Sequence, residues 1–366
     1  MTKKNFIALG IIAVMVFGMI SCVNSRKSDE IKIGVILPLT GDAAIYGKSL
    51  QNGLQVALDE YNSKQEKKMS IVFEDSKAEP KLAVNAINKL INTDKIQYII
   101  GDMFTNTTLA IAPIAQQNKI LLLSPTGSSN EISKVGDYVF RIYPSETEEG
   151  NALGDFFNKK FYGQKAFIVC ANEDAMKNVA LSIKKKLGTT ITEEDYNTNS
   201  SSFIPVITKI PSDVNVVFAL GYMPDISLFV RQSQELKRDY VVAGLSTLYD
   251  NKFIELIANS SIEVFLTASS FSPDSKDDHT QRFVELYHNR YKEQPNVWSG
   301  YGYDAFNILT QSISEVNAKG ENITTVLENL KDYEGVTGLT TINKDHSINK
   351  TFDILQIKDG KFTIAK

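Results

Sequence analysis

Two loops carry the hydroxyl groups best placed to do chemistry in this chain, and that chemistry is anion recognition. In Gly101-Asp102-Met103-Phe104-Thr105 a strand-like run ends and a helical pattern begins at Thr105. A hydroxyl and unsatisfied main-chain N–H groups at a helix start can take a carboxylate. The same threonine would serve equally as an ordinary helix cap. In Ser124-Pro125-Thr126-Gly127-Ser128-Ser129, Gly127 would let main chain approach a bound molecule closely. A plain surface turn has the same composition. Groupings for catalysis are missing by contrast. His279, His288 and His346 stand among polar or charged neighbours, without a second ligand at metal spacing. There is no G-x-S-x-G elbow and no cysteine-rich metal site, and the glycines of Gly300-Tyr301-Gly302-Tyr303-Asp304 lack a Walker lysine or dinucleotide spacing. The expectation is a binder rather than an enzyme, with no cofactor and no metal.

Alternating strands and helices must position those loops. Ile31 to Leu37 is a β-branched run, and Lys48 to Asn62 then repeats Leu50, Leu54, Ala57, Leu58 and Tyr61 at helical spacing. Met69 to Phe73, Tyr98 to Ile100 and Ile120 to Leu123 read as strands, with helices at 82–91 and 107–117 between them. A second series follows Tyr143-Pro144. Its helices lie at 146–161, 176–187 and 226–236, and its strands at 166–170, 215–220, 240–243 and 263–267. Two longer helices, 278–292 and 302–317, precede a tail from Thr337 to Ile364 that alternates apolar and polar residues, as a half-exposed antiparallel sheet does. The pattern predicts an α/β fold with parallel sheets.

The first residues predict where the protein resides. Lys3 and Lys4 precede an apolar run from Phe6 to Ile20, too short for a stable membrane span, and then Met19-Ile20-Ser21-Cys22. A small residue before a cysteine resembles a bacterial lipobox, with Met19 in place of the usual leucine. Residues 1–21 are expected to be a signal peptide, Cys22 the lipid-bearing residue, and 22–29 a polar tether to the membrane. With 39 Lys+Arg against 43 Asp+Glu the chain carries −4, and loss of Lys3 and Lys4 takes it to −6. That charge, with no basic run longer than Lys184 to Lys186, speaks against a nucleic-acid partner. Cys170 is then the remaining cysteine and reads as a small buried hydrophobe.

The stretch Ile31 to Gly53 resembles the leucine/isoleucine/valine-binding family of type I periplasmic solute-binding proteins. The likeness continues through 98–106, 121–133, 139–153, 218–226, 299–309 and 335–362. It implies two Rossmann-like lobes joined by a three-strand hinge, with a ligand held between them. Lobe one would be 30–143 with 269–342, and lobe two 144–268 with 343–366. The resemblance gives Thr105 a carboxylate-binding hydroxyl and Ser128 a hydroxyl with a main-chain N–H. It sets Thr126 and Gly127 in the same loop, makes Tyr46 a cleft aromatic, and makes Tyr222 a lid. The chain departs from the family in two places. Ala175 stands where a tyrosine is common. Ser246 lies near where amino-acid binders carry an acid for the ligand's ammonium, and a serine cannot neutralise a cation. Either another acid substitutes, with Asp102, Glu173 and Asp174 in suitable loops, or the ligand lacks the ammonium. The expected solute is therefore a small carboxylate, or an amide-like or aromatic molecule, with an amino acid close behind. The implied partner is an ABC permease in a bacterial cell envelope, on the periplasmic or extracellular face. A sensing lipoprotein that signals to a membrane receptor is the alternative.

Overall fold

The computed structural model describes residues 30–188, 191–350 and 352–365. The expectations for the signal peptide, Cys22 and the tether lie outside the described residues.

Five strands form the first sheet: β1 (Ile31–Leu37), β2 (Met69–Asp75), β3 (Tyr98–Gly101), β4 (Leu121–Ser124) and β5 (Val139–Arg141). They pair in parallel in the order β2-β1-β3-β4-β5. Parallel neighbours need crossovers, and helices Ala44–Lys64, Pro80–Asn92 and Thr105–Asn118 supply three of them. The turns after β1, β2, β3 and β4 consequently share one edge, the carboxyl edge where α/β sheets bind ligands.

The second sheet is built in the same way. β6 (Ala166–Ala171), β7 (Thr192–Tyr196), β8 (Val216–Leu220), β9 (Val241–Gly244) and β10 (Val264–Ala268) run parallel in the order β10-β9-β8-β6-β7. Helices Glu146–Lys160, Asp174–Leu187 and Met223–Glu235 cover it. All five residues of β8 and of β10 are buried, as expected of parallel strands covered on both faces.

After β10 the chain returns to the first core through helices Asp278–Tyr291 and Val297–Lys319, then forms a small antiparallel sheet of β11 (Tyr333–Gly335), β12 (Gly338–Ile342) and β13 (Ile348–Asn349). It rejoins the second sheet as β14 (Asp353–Lys358) and β15 (Lys361–Ile364), antiparallel on the β10 edge. Two lobes result.

Helix Val297–Lys319 is the centre of the first lobe. It crosses helix Ala44–Lys64 so closely that a Cβ on Gly53 would lie 1.9 Å from the Ser299 carbonyl oxygen, and one on Gly302 would lie 2.3 Å from that of Leu50. This helix starts five residues before the expected Gly302. Gly53 and Gly302 are what lets the two backbones meet. Three strands escaped the pattern. β5 and β11 have three residues each. β7, Thr-Glu-Glu-Asp-Tyr, is a charged edge strand whose acids pair with Lys177, Lys184 and Lys209. Charge on an edge strand discourages pairing with other chains, so it hides the strand from an apolar-pattern reading.

Candidate functional site

Three helix starts face the space between the lobes. Helix Thr105–Asn118 begins after Phe104, helix Asp174–Leu187 after Glu173 and helix Met223–Glu235 after Tyr222, and none of these preceding residues makes a side-chain cap. Ser145 by contrast caps helix Glu146–Lys160 in a full capping box with Glu148. Thr105 is the first helical residue, not a cap, so its hydroxyl is not spent on its own helix. That hydroxyl accepts a bond from the Ser129 N–H at 3.3 Å. Thr126 donates to the Met103 carbonyl at 2.9 Å. These two bonds tie the loop after β3 to the loop after β4.

Beneath them Asp102 is fully buried. Its carbonyl accepts from Thr108 Oγ1 at 2.9 Å and Ser124 Oγ at 2.8 Å, and burial pushes its carboxyl up to about 6. It braces the loop from within. Gly127 donates its N–H to Ser124 Oγ at 3.1 Å. A Cβ there would strike Ile132 Cδ1 at 2.6 Å and Ser124 Oγ at 2.7 Å. The glycine is thus required by packing inside its own loop.

Four aromatic rings link the lobes. Tyr46 stands edge-on to Trp298 at 5.6 Å and to Phe104 at 6.5 Å, and Phe104 meets Tyr222 edge-on at 6.3 Å. Tyr222, from the second lobe, donates its hydroxyl to Glu173 Oε2 at 3.0 Å. Burial raises the Tyr222 phenol well above its ordinary range, and the charges of Glu173, Tyr46 and Glu146 add to that. The lobes therefore touch across the cleft at Phe104 and Tyr222.

Ser128 donates to Glu146 Oε1 at 3.2 Å, and Asn178 Nδ2 donates to Glu146 Oε2 at 2.7 Å. Ser246 is buried. It shares a bond with the Tyr143 hydroxyl at 2.5 Å and donates its N–H to Glu149 Oε1 at 2.8 Å. Glu149, itself fully enclosed, also accepts from Thr267, and burial raises its carboxyl. The structure thus gathers Tyr46, Thr105, Ser128 and Tyr222 about one space. Thr126 and Gly127 support it from behind, and Ser246 is turned toward Tyr143 and Glu149. Sequence reasoning missed Phe104, Trp298, Glu146, Glu149 and Asn178. The acids could have been found in the Ser-Glu-Thr-Glu-Glu run at 145–149, which reads there as an ordinary helix start.

Other clusters are accounted for locally. Asp304 accepts from the N–H groups of Val336 and Thr337, both at 2.9 Å. His346 stacks on Phe140 and bonds the Val139 carbonyl at 2.9 Å. Among the described residues, the Cys170–Glu193–Asp195 group has its carboxylates taken by Lys177 and Lys184. Burial pushes the Cys170 thiol up to about 12. An open groove of about 820 Å³ between helix Glu146–Lys160 and β14–β15 lies away from the loops described above. No helix among the described residues is long and apolar enough to cross a membrane.

Comparison with known proteins bears on the family and the fold. A family model described as periplasmic binding protein matches residues 30–361. The Leu/Ile/Val-binding protein BraC3 of Rhizobium johnstonii is 24% identical over 349 residues, covering 92% of this chain and 94% of its own. Leu/Ile/Val-binding protein homolog 1 of Brucella melitensis is 26% identical over 333 residues, covering 88% and 86%. Among solved structures, the leucine-binding protein LivK of Thermotoga maritima superposes with a TM-score of 0.83 at 22% identity, covering 92% of this chain and 98% of its own. LivJ of Streptococcus pneumoniae, solved with isoleucine, gives 0.81 at 24%, covering 92% and 99%. A Rhodopseudomonas palustris protein solved with benzoate gives 0.81 at 21%, covering 92% and 95%.

Proposed function

The chain belongs to the periplasmic binding protein family, and on that premise we propose that it captures a small amino-acid-like or carboxylate solute between its lobes and delivers it to an ABC importer. The observation that carries this reading is the meeting of Ser128 with Glu146 and of Phe104 with Tyr222, which brings loops of both sheets around one space. Tyr46, Thr105, Ser128 and Tyr222 are the proposed ligand-facing residues, with Thr126, Gly127 and Ser246 shaping the loops behind them. Lobe one is read as 30–143 with 269–342 and lobe two as 144–268 with 343–366. The passage of the chain between sheets after β5 and after β10 supports the first two limits; the third would lie between β13, which still pairs with β12 of the first lobe, and β14, later than 343. The protein is read as a binder without catalysis, held outside the cytoplasm by a lipid on Cys22.

Closure follows from differential affinity. A solute touching both lobes favours the closed form by the contacts it makes there and not in the open form. An importer would then read the closed shape. Thermal-shift and calorimetric titration of the purified chain with free amino acids and their 2-oxo-acid analogues tests the reading. A saturable response that disappears when Thr105→Ala and Ser128→Ala are combined is expected. A response untouched by that pair would place the solute elsewhere.

A further inference from the structure

The cleft holds two carboxylates that the protein does not neutralise. Glu146 is only 4% exposed, and its hydrogen-bond donors, Ser128 and Asn178, are neutral. The donor to Glu173 is the Tyr222 hydroxyl, also neutral. Among the described residues neither acid forms an ion pair. The charge of Arg141 reaches Glu146, but its guanidinium donates to Ser133, Asn130 and the Tyr143 carbonyl. Enclosing a carboxylate without a counter-charge is costly, and a bound cation removes that cost. Burial accordingly pushes Glu146 up to about 6 and raises Glu173. A carboxylate has about four acceptor positions, so both acids retain capacity for a further donor.

Two other features of the same space call for a ligand. The Tyr46 hydroxyl is buried beside the Met223 main chain of the second lobe, without a well-formed hydrogen bond, and can still engage a ligand. Its ring, with those of Phe104, Tyr222 and Trp298, offers aromatic surface that attracts cations. Helix Thr105–Asn118 starts without a side-chain cap, and such an end attracts an anion.

Two uncompensated acids and one anion-binding helix end call for the complementary charges in one molecule. We propose that the solute is a basic amino acid, its carboxylate at the Thr105 helix start and its two cationic nitrogens on Glu146 and Glu173. The proposal rests on the capture reading and narrows it to a charge class. Ser246 needs no acid under this arrangement, because Glu146 and Glu173 take that role from other elements.

Calorimetric titration of the purified chain with lysine, ornithine, leucine and 4-methyl-2-oxopentanoate decides it. Lysine or ornithine is expected to bind at least tenfold more tightly than leucine, and the 2-oxo acid to give no heat. Glu146→Gln keeps the side-chain shape and the Ser128 bond, and should weaken the basic ligands at least tenfold without lowering the melting temperature of the free protein. Glu173→Gln should do the same. Leucine or the 2-oxo acid binding more tightly than both basic ligands overturns the proposal, as does an affinity unchanged by Glu146→Gln. If the 2-oxo acid binds and Thr105→Ala with Ser128→Ala abolishes it, capture survives and this inference falls. If no probe binds and native mass spectrometry finds no co-purified solute, both fall.

Discussion

Ser128 and Glu146 are bonded to each other twice. The Ser128 hydroxyl donates to Glu146 Oε1 at 3.2 Å, and the Glu146 N–H donates to the Ser128 carbonyl at 3.2 Å. Ser128 belongs to a loop of the first sheet, and Glu146 opens the helix that covers the second. This reciprocal pair joins the two lobes close to the crossing that follows β5.

Replacing Ser128 with alanine removes one donor from a buried acid. The expected loss is about 1–2 kcal/mol of stability, read as a lower urea midpoint with unchanged slope. A larger loss with a changed slope would mean that the loop itself unfolds.

The pH dependence of stability follows from the same acid. Burial raises Glu146 from 4.5 to about 6 and Asp102 from 3.8 to about 6. Between the ordinary and raised values the folded state keeps protons that the unfolded state has lost. Stability therefore falls as pH rises through that window and levels off above it. For Glu146 the cost at neutral pH is ~2 kcal/mol. The ligand-free protein should melt higher at about pH 5 than at about pH 7, with a shallower slope in Glu146→Gln. A profile that rises with pH would contradict this.

Tyr222 joins the lobes through its ring against Phe104, while its hydroxyl is held within its own lobe on Glu173. Tyr222→Phe keeps the first contact and Tyr222→Ala removes both. Ligand affinity should fall modestly in the phenylalanine variant and by tenfold or more in the alanine variant, an order of magnitude being about 1.4 kcal/mol. Equal loss in both would assign the effect to the hydroxyl alone.

Legibility in the sequence varied with how local the determinant was. Strand Ile31–Leu37 was readable because its continuous apolar run matches burial on both faces, and helix Pro80–Asn92 because its apolar spacing matches burial on one helix face. Charged β7 was not, since its burial is partial and its acids answer lysines on neighbouring elements. In the site, Thr105 and Ser128 were readable as hydroxyls in turn-like loops. Glu173 was readable only as one of three acids in suitable loops, and Glu146 was not readable, because an acid at a helix start looks the same whether it faces water or a cleft. Only the docking of Asn178, Ser128 and Tyr222 around them separates the two cases.

The Gly53–Gly302 crossing offers a control remote from ligand chemistry. Gly302→Ala places a methyl group 2.3 Å from the Leu50 carbonyl oxygen and forces helices Ala44–Lys64 and Val297–Lys319 apart. Stability should drop by about 2 kcal/mol or more, as overpacking of a tight core contact does. Ligand affinity in the folded fraction should stay within a few-fold of the parent.

A crystal structure of the chain with its bound solute is the most direct test. Density for the solute is expected between Thr105, Ser128, Glu146 and Tyr222, in contact with residues of both lobes. Density instead in the groove between helix Glu146–Lys160 and β14–β15, with the interlobe space filled by protein alone, would contradict the account.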